Sequence, residues 1–221
     1  GQDSFTYQAN DGLLDSEAPP ATVNITINPA NDFPVLDNID PTDFNEDETE
    51  TITVSAEDID GDALTYSCSQ GQNISCSVAN TNELTFQPDP DWNGSEIITI
   101  TVDDGVRAVD SQDVNVTVNP INDPPETNDV ATTTNEEQLV TIVLDGIDID
   151  GDDITYTLQT QPTNGILSNF DTNNGTVDYT PNQDFNGDDS FIYFVNDSIL
   201  NSNESTITIT VSATNDLPTV S

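Results

Sequence analysis

The sequence almost entirely lacks basic residues. Its 221 residues include one arginine, Arg107, and no lysine or histidine, against 42 aspartates and glutamates, which gives a formal charge of -41. A chain this acidic repels nucleic acid and anionic membrane surfaces. The missing histidines and lysines also remove the usual bases and nucleophiles of enzymes. We therefore expect no catalytic activity, no nucleic-acid partner and no direct membrane insertion.

Cysteine and long apolar runs are also scarce. The sequence shows no membrane-length apolar run and no targeting motif. Cys68 and Cys76 are its only cysteines, and the residues around them indicate two strands joined by a turn. The spacing predicts a hairpin disulfide, which would place the protein in an oxidising environment, extracellular or at a cell surface. Two unpaired thiols are the alternative.

High charge combined with low hydrophobicity is typical of disordered chains. The alternating strand patterns described below contradict disorder in this sequence. Both observations agree if cations neutralise the carboxylates of a folded protein. The weaker alternative is a surface adapted to high salt, where ionic screening reduces the repulsion.

Two acidic loops with the same sequence are the most informative feature. Asp58-Ile59-Asp60-Gly61-Asp62 recurs as Asp148-Ile149-Asp150-Gly151-Asp152. Carboxylates held this close favour a bound cation, and their hard oxygen ligands suit Ca²⁺. The alternative is a solvated turn, since Asp and Gly are common turn residues. Neither loop has the glycine and glutamate spacing of an EF-hand.

Internal repeats define the predicted domains. Asn31-Asp32-Phe33-Pro34 recurs at Asn122 and again at Asn215, and Trp92-Asn93-Gly94 recurs as Phe185-Asn186-Gly187. The spacing predicts the C-terminal part of a truncated repeat over residues 1–32 and complete repeats over 33–123 and 124–221. Gly1 matches Gly94, so we expect the chain to begin inside a repeat.

Each complete repeat contains about seven short strand patterns and no helical period. This number of strands in about 90–100 residues predicts tandem immunoglobulin-like β-sandwiches, an all-β fold. Aromatic residues at matching positions are interpreted as core packing: Trp92 and Phe185, Phe86 and Tyr179, Tyr66 and Tyr156. A sugar-stacking role for Trp92 is the alternative. In the first repeat the strands are expected at 51–55, 63–68, 74–78, 83–87, 96–102 and 113–118, with one more before Asn45, and in the second at 139–144, 154–159, 165–168, 176–180, 190–195 and 205–211.

The acidic loops stand among further motifs that carry a family resemblance. These motifs are Asn45-Glu46-Asp47-Glu48, Leu64-Thr65-Tyr66, Pro90-Asp91-Trp92-Asn93-Gly94, Val102-Asp103-Asp104-Gly105, Asn122-Asp123-Pro124-Pro125, Pro162-Thr163-Asn164-Gly165 and Phe185-Asn186-Gly187-Asp188-Asp189-Ser190-Phe191. With them the whole chain resembles the cadherin-like, immunoglobulin-like tandem repeats of large secreted or cell-surface proteins of the bacterial adhesin type. The resemblance implies Ca²⁺ at the junctions between consecutive repeats.

The resemblance also implies the ligands. Between the complete repeats they would be Glu46, Asp91 (or Asp89), Asn122 through its carbonyl, Asp123, Asp148, Asp150 and Asp197; at the junction before residue 33 they would be Asn31, Asp32, Asp58, Asp60 and Asp104. Asp62 and Asp152 are additional candidates, unless they face solvent. Pro120 and Pro124 replace linker ligands that cadherins have, so fewer ions per junction are expected.

Three functions fit these patterns. The first is a calcium-binding spacer or stalk in adhesion, whose partners are the neighbouring repeats of the same chain. The second is a segment of an extracellular filament, in which strands of residues 1–30 pair with an identical chain. The third is a carbohydrate-binding module that contacts surface polysaccharide or protein, although the sequence offers only 14 aromatic residues.

Overall fold

The computed structural model describes residues 1–17, 19–106 and 108–215. The chain forms two compact units, Gly1–Asn119 and Pro120–Ser221. The described residues contain β-strands and no helix, and therefore no helix that is long and apolar enough to cross a membrane. Arg107 and the last three residues of the third Asn-Asp-X-Pro motif, 216–218, lie outside the described ranges.

The first unit begins with a separate two-stranded sheet. Its strands are β1 (Gln2–Tyr7) and β2 (Ala21–Thr26), which pair antiparallel with Phe5 opposite Val23. Among the described residues, these two strands form no ladder with the other strands of the unit. We refer to them as the N-terminal hairpin.

A β-sandwich follows in the first unit. One sheet has the order β4-β11-β10-β7, the facing sheet has the order β5-β9-β8, and β3 pairs with β6. Strand β4 runs parallel to β11, and the other pairings are antiparallel. The bounds are β3 Val35–Leu36, β4 Thr42–Asn45, β5 Glu50–Thr53, β6 Ala56–Glu57, β7 Thr65–Cys68, β8 Ile74–Val78, β9 Glu83–Pro88, β10 Gly94–Asp103 and β11 Val109–Asn119.

The second unit repeats this topology. Its sheets have the orders β13-β20-β19-β16 and β14-β18-β17, and β12 pairs with β15. Strand β13 runs parallel to β20, as β4 does to β11. The bounds are β12 Glu126–Thr127, β13 Val130–Asn135, β14 Val140–Val143, β15 Gly146–Ile147, β16 Thr155–Leu158, β17 Gly165–Asp171, β18 Thr176–Pro181, β19 Gly187–Asn196 and β20 Ser205–Ser212.

Alternating side chains of the facing sheets form each core. In the first unit Phe86, Ile98 and Val116 are fully buried, and in the second Tyr179 and Phe191 take equivalent places. The six aromatic residues predicted to lie in the core all belong to these clusters or pack against them. The tandem all-β, immunoglobulin-like fold expected from the sequence is therefore confirmed.

The sequence prediction of a hairpin disulfide was correct in its pairing and wrong in its geometry. Cys68 and Cys76 are bonded, with their Cα atoms 6.1 Å apart. Their strands β7 and β8 belong to different sheets and do not pair with each other. The disulfide therefore joins the two sheets of the first sandwich, at the place where the second sandwich has Leu158 and Leu167.

Amide and hydroxyl groups donate hydrogen bonds to many of the carboxylates. Asn169 donates to Asp178 at 2.9 Å, and Asn119 donates to Asp43 at 3.1 Å. On the outer face of a sheet, the Thr99 hydroxyl donates to Asp113 at 2.7 Å. These uncharged donors supply the contacts that lysine and arginine provide in less acidic proteins.

Candidate functional site

The acidic loop of the first unit folds around the side chain of Asp58. Oδ1 of Asp58 accepts hydrogen bonds from the backbone N–H groups of Asp60 (2.8 Å), Gly61 (2.9 Å) and Asp62 (3.3 Å). The turn needs a glycine because Gly61 has φ +78°, a left-handed conformation that costs other residues energy. Oδ2 of Asp58 is buried and accepts no hydrogen bond within the described part of the chain.

The acidic loop of the second unit has the same design. Oδ1 of Asp148 accepts the N–H groups of Asp150 at 3.0 Å and Asp152 at 3.3 Å, and Gly151 has φ +80°. Oδ2 of Asp148 is buried and, as far as the structure describes the chain, has no donor. Each loop thus has one buried carboxylate oxygen that accepts no hydrogen bond from the described residues.

Three carboxylates converge in each acidic loop. Oxygen atoms of Asp58, Asp60 and Asp62 lie within 4.8 Å of one another, and so do oxygen atoms of Asp148, Asp150 and Asp152. Burial raises the pKa of the Asp62 carboxyl, and the negative charge of Asp58 together with two other carboxylates raises it further. Without a bound cation, the carboxylates of the loop therefore repel one another, and a cation would relieve this repulsion.

The Asn-Asp segment at the start of each repeat makes one hydrogen bond to the acidic loop and one to the turn that follows β10 or β19. In the first unit, the Asp32 N–H donates to Oδ2 of Asp60 at 2.7 Å, and Asn31 Nδ2 donates to Oδ2 of Asp104 at 2.7 Å. A third bond, from Asn31 Nδ2 to the Asp32 carbonyl at 3.0 Å, orients the Asn-Asp pair itself.

The second unit reproduces these bonds atom for atom. The Asp123 N–H donates to Oδ2 of Asp150 at 2.8 Å, and Asn122 Nδ2 donates to Oδ2 of Asp197 at 2.8 Å. Asn122 Nδ2 also donates to the Asp123 carbonyl at 3.1 Å. The sequence analysis expected Asn122 to contribute its carbonyl, and the structure adds this anchoring role for its side chain.

Asp104 and Asp197 stand in the turns that follow β10 and β19. Asp104 is 3% exposed, and its Oδ1 accepts the N–H groups of Val106 (2.7 Å) and Ala108 (3.1 Å). Asp197 is 4% exposed, and its Oδ1 accepts those of Ile199 and Leu200, both at 2.6 Å. The Leu200 bond and then the Asn122 bond hold the pKa of Asp197 below its ordinary value. The Asp197 carboxyl is therefore an anion at neutral pH.

Glu46 and Asp91 lie at the other end of the first unit. Glu46 is 1% exposed and receives a long hydrogen bond of 3.5 Å from Asn93 Nδ2 to Oε2. The Asp91 N–H donates to Oδ1 of Asp47 at 3.3 Å, which brings these two residues together. The remaining predicted ligands of this junction, from Asn122 to Asp197, belong to the second unit.

The second unit has residues equivalent to Glu46, Asp47 and Asp91 that the sequence analysis did not identify. Glu136 is 6% exposed and accepts hydrogen bonds from the N–H and the hydroxyl of Thr214. The Asp184 N–H donates to Oε1 of Glu137 at 3.2 Å, as Asp91 does to Asp47. Counting ninety residues forward from Glu46 would have found Glu136.

These residues fit a hard cation. Ca²⁺ takes about six to eight oxygen ligands from carboxylates, carbonyls and water. Asp58 and Asp148 each present a buried oxygen without a donor, and the flanking aspartates supply further oxygens. No histidine or free cysteine is present to favour a transition metal.

The structure favours core packing over sugar stacking for Trp92. Trp92 is only partly exposed and packs against the core of the first unit, and a side chain at Gly94 would collide with its ring. A groove of about 290 Å³ in the first unit is lined by residues 37–42 and 52–55, with no aromatic residue among them. Sugar pockets use aromatic faces beside polar groups, and this groove lacks the former.

Comparisons with known proteins agree with the fold. A family model described as a bacterial Ig domain matches residues 31–117 and 122–210. Chitinase A of Pseudoalteromonas piscicida is 36% identical over 124 residues, 52% of this chain and 14% of that protein. Integrin beta-like protein A of Dictyostelium discoideum is 26% identical over 261 residues, 97% of this chain and 14% of that protein. The chain therefore spans 14% of the length of each of these relatives.

Cadherin repeats are among the similar solved structures. Human protocadherin-24 EC1-2 (form II) has a TM-score of 0.54 and 17% identity, covering 82% of this chain and 99% of that one. Human CDH23 EC21-23 has a TM-score of 0.51 and 16% identity, covering 81% of this chain and 69% of that one. At this identity the likeness shows a shared fold.

Proposed function

The chain belongs to the bacterial Ig domain family, and we propose that its tandem repeats form a calcium-binding extracellular spacer within a larger adhesive or surface protein. The family has an immunoglobulin-like repeat fold, and the acidic clusters recur in both repeats. A unique active site would occur once. The recurrence of the acidic clusters instead favours metal ligands that each repeat uses to stabilise its own structure.

One observation carries the calcium proposal. Asp58 and Asp148 each use Oδ1 to order the acidic loop and keep Oδ2 buried without a hydrogen bond within the described part of the chain. A buried acceptor that lacks a partner costs about 1–3 kcal/mol, and more if it is charged. The same unsatisfied atom in two separate loops supports the proposal that a cation completes both.

The linkers would give calcium its mechanical effect. The resemblance to cadherins implies that one ion takes ligands from the linker and from the repeats on both sides of it. Without the ion, carboxylates of consecutive repeats repel each other, so the linker flexes. With the ion, the oxygens are held by a single centre and the linker stiffens.

An extracellular location agrees with the disulfide and with the proposed calcium sites. The Cys68–Cys76 disulfide is stable in an oxidising compartment. Calcium sites of extracellular modules bind with dissociation constants of about 10⁻⁴–10⁻³ M, which suits millimolar external calcium and fails at cytosolic concentrations.

Calorimetric titration tests the binding. We expect wild-type protein, freed of metal by a chelator, to bind Ca²⁺ at sites that Asp58→Asn and Asp148→Asn each reduce in number or affinity. Asp113→Asn is the matched control, because Asp113 lies on an outer sheet face and, within the described residues, its side chain accepts a bond from Thr99 alone. Unchanged binding in both loop variants would refute the assignment.

Small-angle scattering tests the spacer role separately. Millimolar Ca²⁺ should lengthen the particle and narrow its distribution of sizes, and Asp113→Asn should behave like the wild type. If calcium binds but the scattering does not change, the calcium-site assignment still holds and the proposed stiffening is contradicted.

A further inference from the structure

Four asparagines of the chain are followed directly by glycine. Such a pair is chemically reactive, because glycine has no β-carbon and its backbone nitrogen can approach the asparagine side chain closely. All four pairs lie within the described residues, so the structure shows how accessible each of them is. The pairs are Asn93-Gly94, Asn164-Gly165, Asn174-Gly175 and Asn186-Gly187.

The reaction of such a pair is an intramolecular loss of ammonia. The glycine nitrogen attacks the side-chain carbonyl carbon of the asparagine, and the amide nitrogen leaves as ammonia together with the proton of the glycine N–H. A succinimide ring results. Water then opens the ring at either carbonyl and gives aspartate or isoaspartate. The reaction consumes water and needs no oxidant or reductant.

Burial of the glycine separates the four pairs. Gly175 is buried, and Gly94 and Gly165 are half-buried. Gly187 is exposed, and so is Asn186 before it. Closure of the ring needs space at this peptide bond, and its hydrolysis needs water. Asn186-Gly187 is the pair that offers both.

An aromatic ring accounts for the difference between the two equivalent pairs, Asn93-Gly94 and Asn186-Gly187. A β-carbon placed on Gly94 would lie 2.7 Å from the ring of Trp92, so this ring covers the glycine closely. Phe185 takes the place of Trp92 in the second unit, and its ring would be 3.7 Å from a β-carbon on Gly187. The smaller ring therefore leaves more room around the glycine.

Hydrogen bonds hold the two remaining pairs in place. The Asn164 N–H donates to Oδ2 of Asp189 at 2.8 Å. Asn174 donates from Nδ2 to Oδ2 of Asp171 at 2.7 Å, and the Gly175 N–H, which is the attacking group, donates to the Asp171 carbonyl at 3.0 Å. These bonds oppose the rotations that ring closure needs.

We propose that Asn186 is a site of spontaneous modification, at which water converts the side-chain amide to a carboxylate, and that the Phe185 ring permits this reaction where the Trp92 ring suppresses it at Asn93. The reacting group is the Asn186-Gly187 peptide itself. The inference is independent of calcium binding.

The first unit shows what the product would face. Asn93 Nδ2 donates to Oε2 of the buried Glu46 at 3.5 Å, and Glu136 takes the place of Glu46 in the second unit. Conversion of Asn186 therefore replaces an uncharged amide by a carboxylate at the end of the unit that contains Glu136. The change adds a negative charge there and increases the repulsion between carboxylates.

Peptide mass spectrometry of the full chain tests the proposal pair by pair. The protein is incubated at mildly alkaline pH, once folded and once in denaturant, and the converted fraction of each asparagine is followed with time. In denaturant we expect similar rates at all four pairs. Folding should slow conversion at Asn93, Asn164 and Asn174 by more than about tenfold and at Asn186 by less, because a reaction that requires local opening is slowed by the free energy of opening. Protection of Asn186 as strong as that of Asn93 would overturn the proposal.

Exchanging the two aromatic residues tests the cause. Phe185→Trp gives the second unit the ring of the first and should lower the conversion rate at Asn186 to that at Asn93. Trp92→Phe should raise the rate at Asn93 toward the wild-type rate at Asn186. Each variant controls for the other, because the unit without a substitution should keep its wild-type rate, and circular dichroism checks that both variants are folded. Rates that respond to neither exchange would overturn the proposal.

Discussion

Asn122 and Asp197 are joined by a hydrogen bond of 2.8 Å from Nδ2 to Oδ2, across 75 residues of sequence. The bond attaches the segment that enters the second unit to the turn after β19. Asn31 and Asp104 make the same bond in the first unit, at 2.7 Å. Repetition of this contact indicates that the position of the entering segment is part of the site itself.

Removing the Asn122 side chain should weaken calcium binding. Asn122→Ala deletes the bond to Asp197 and leaves all carboxylates of the site unchanged. Loss of a residue that positions metal ligands typically lowers affinity by about 10–100-fold. Calorimetry should show a change of this size. Asn115→Ala is the control, because Asn115 is exposed and its side chain donates to Thr117 alone among the residues that the structure describes. Equal affinities in the two variants would contradict the positioning role.

Glu96 should make the first unit sensitive to acid. Burial raises the pKa of Glu96, but hydrogen bonds from Asn73, Ile74 and Gln72 outweigh burial and bring the pKa below its ordinary value of 4.5. A carboxyl whose pKa is lower in the folded state stabilises the fold above the unfolded pKa, and this contribution disappears as pH falls through the folded pKa. Stability should therefore decline below about pH 4.5.

Glu96→Gln is the test of that contribution. The variant should be less stable at pH 7 and lose less stability between pH 5 and the acid limit, as measured by denaturant unfolding followed through Trp92 fluorescence. Glu50→Gln, in strand β5, controls for the change in net charge. Parallel pH profiles of Glu96→Gln and the wild type would contradict the role of the hydrogen bonds.

Tyr193→Phe should destabilise the second unit. The Tyr193 hydroxyl is buried, lies within hydrogen-bond distance of two carbonyls and accepts the Asp145 N–H at 3.1 Å. Removing one partner of a buried hydrogen bond costs about 1–3 kcal/mol. Unfolding by circular dichroism should show a loss in that range. Tyr7→Phe, at the exposed matching position, should cost close to nothing, and equal losses would contradict the account.

Reduction of the disulfide should destabilise the first unit selectively. A bond that closes a loop as short as Cys68–Cys76 contributes about 2–3 kcal/mol through the entropy of the unfolded chain. Trp92, the single tryptophan, reports the first unit. The unfolding midpoint that Trp92 fluorescence reports should fall when reductant is added. Hydrogen exchange of the cysteine-free core around Tyr179 should stay unchanged. Faster hydrogen exchange in the core around Tyr179 would contradict an effect confined to the first unit.

Most of the fold could be predicted because alternation and repetition are local signals. Strand β8 was predicted with its observed bounds, and the facing aromatic residues were placed correctly. Strand β13 was missed because Val130–Asn135 is a threonine run with little alternation, stabilised by parallel pairing with distant β20. The sequence did not reveal that Cys68 and Cys76 lie in different sheets. A turn has the same sequence pattern whether it joins two paired strands of one sheet or two strands of facing sheets.

The candidate site was predicted in part. The acidic loops were recognised from their composition, since three carboxylates and a glycine in five residues are rare. The bonds of Asn31 and Asn122 depend on contacts more than seventy residues apart, which no local pattern contains. The same holds for Asp189, whose buried contacts come from a loop and from Tyr179.

Thermal unfolding in chelator and then in millimolar Ca²⁺ tests the central claim most directly. A ligand at about ten times its dissociation constant stabilises the folded protein by about 1.4 kcal/mol per site, so calcium should raise the melting temperature by several degrees. The double variant Asp58→Asn, Asp148→Asn should lose most of this rise, and Asp113→Asn should keep it. A wild-type melting temperature that does not respond to calcium, or an equal rise in the double variant, would contradict calcium binding at the acidic loops.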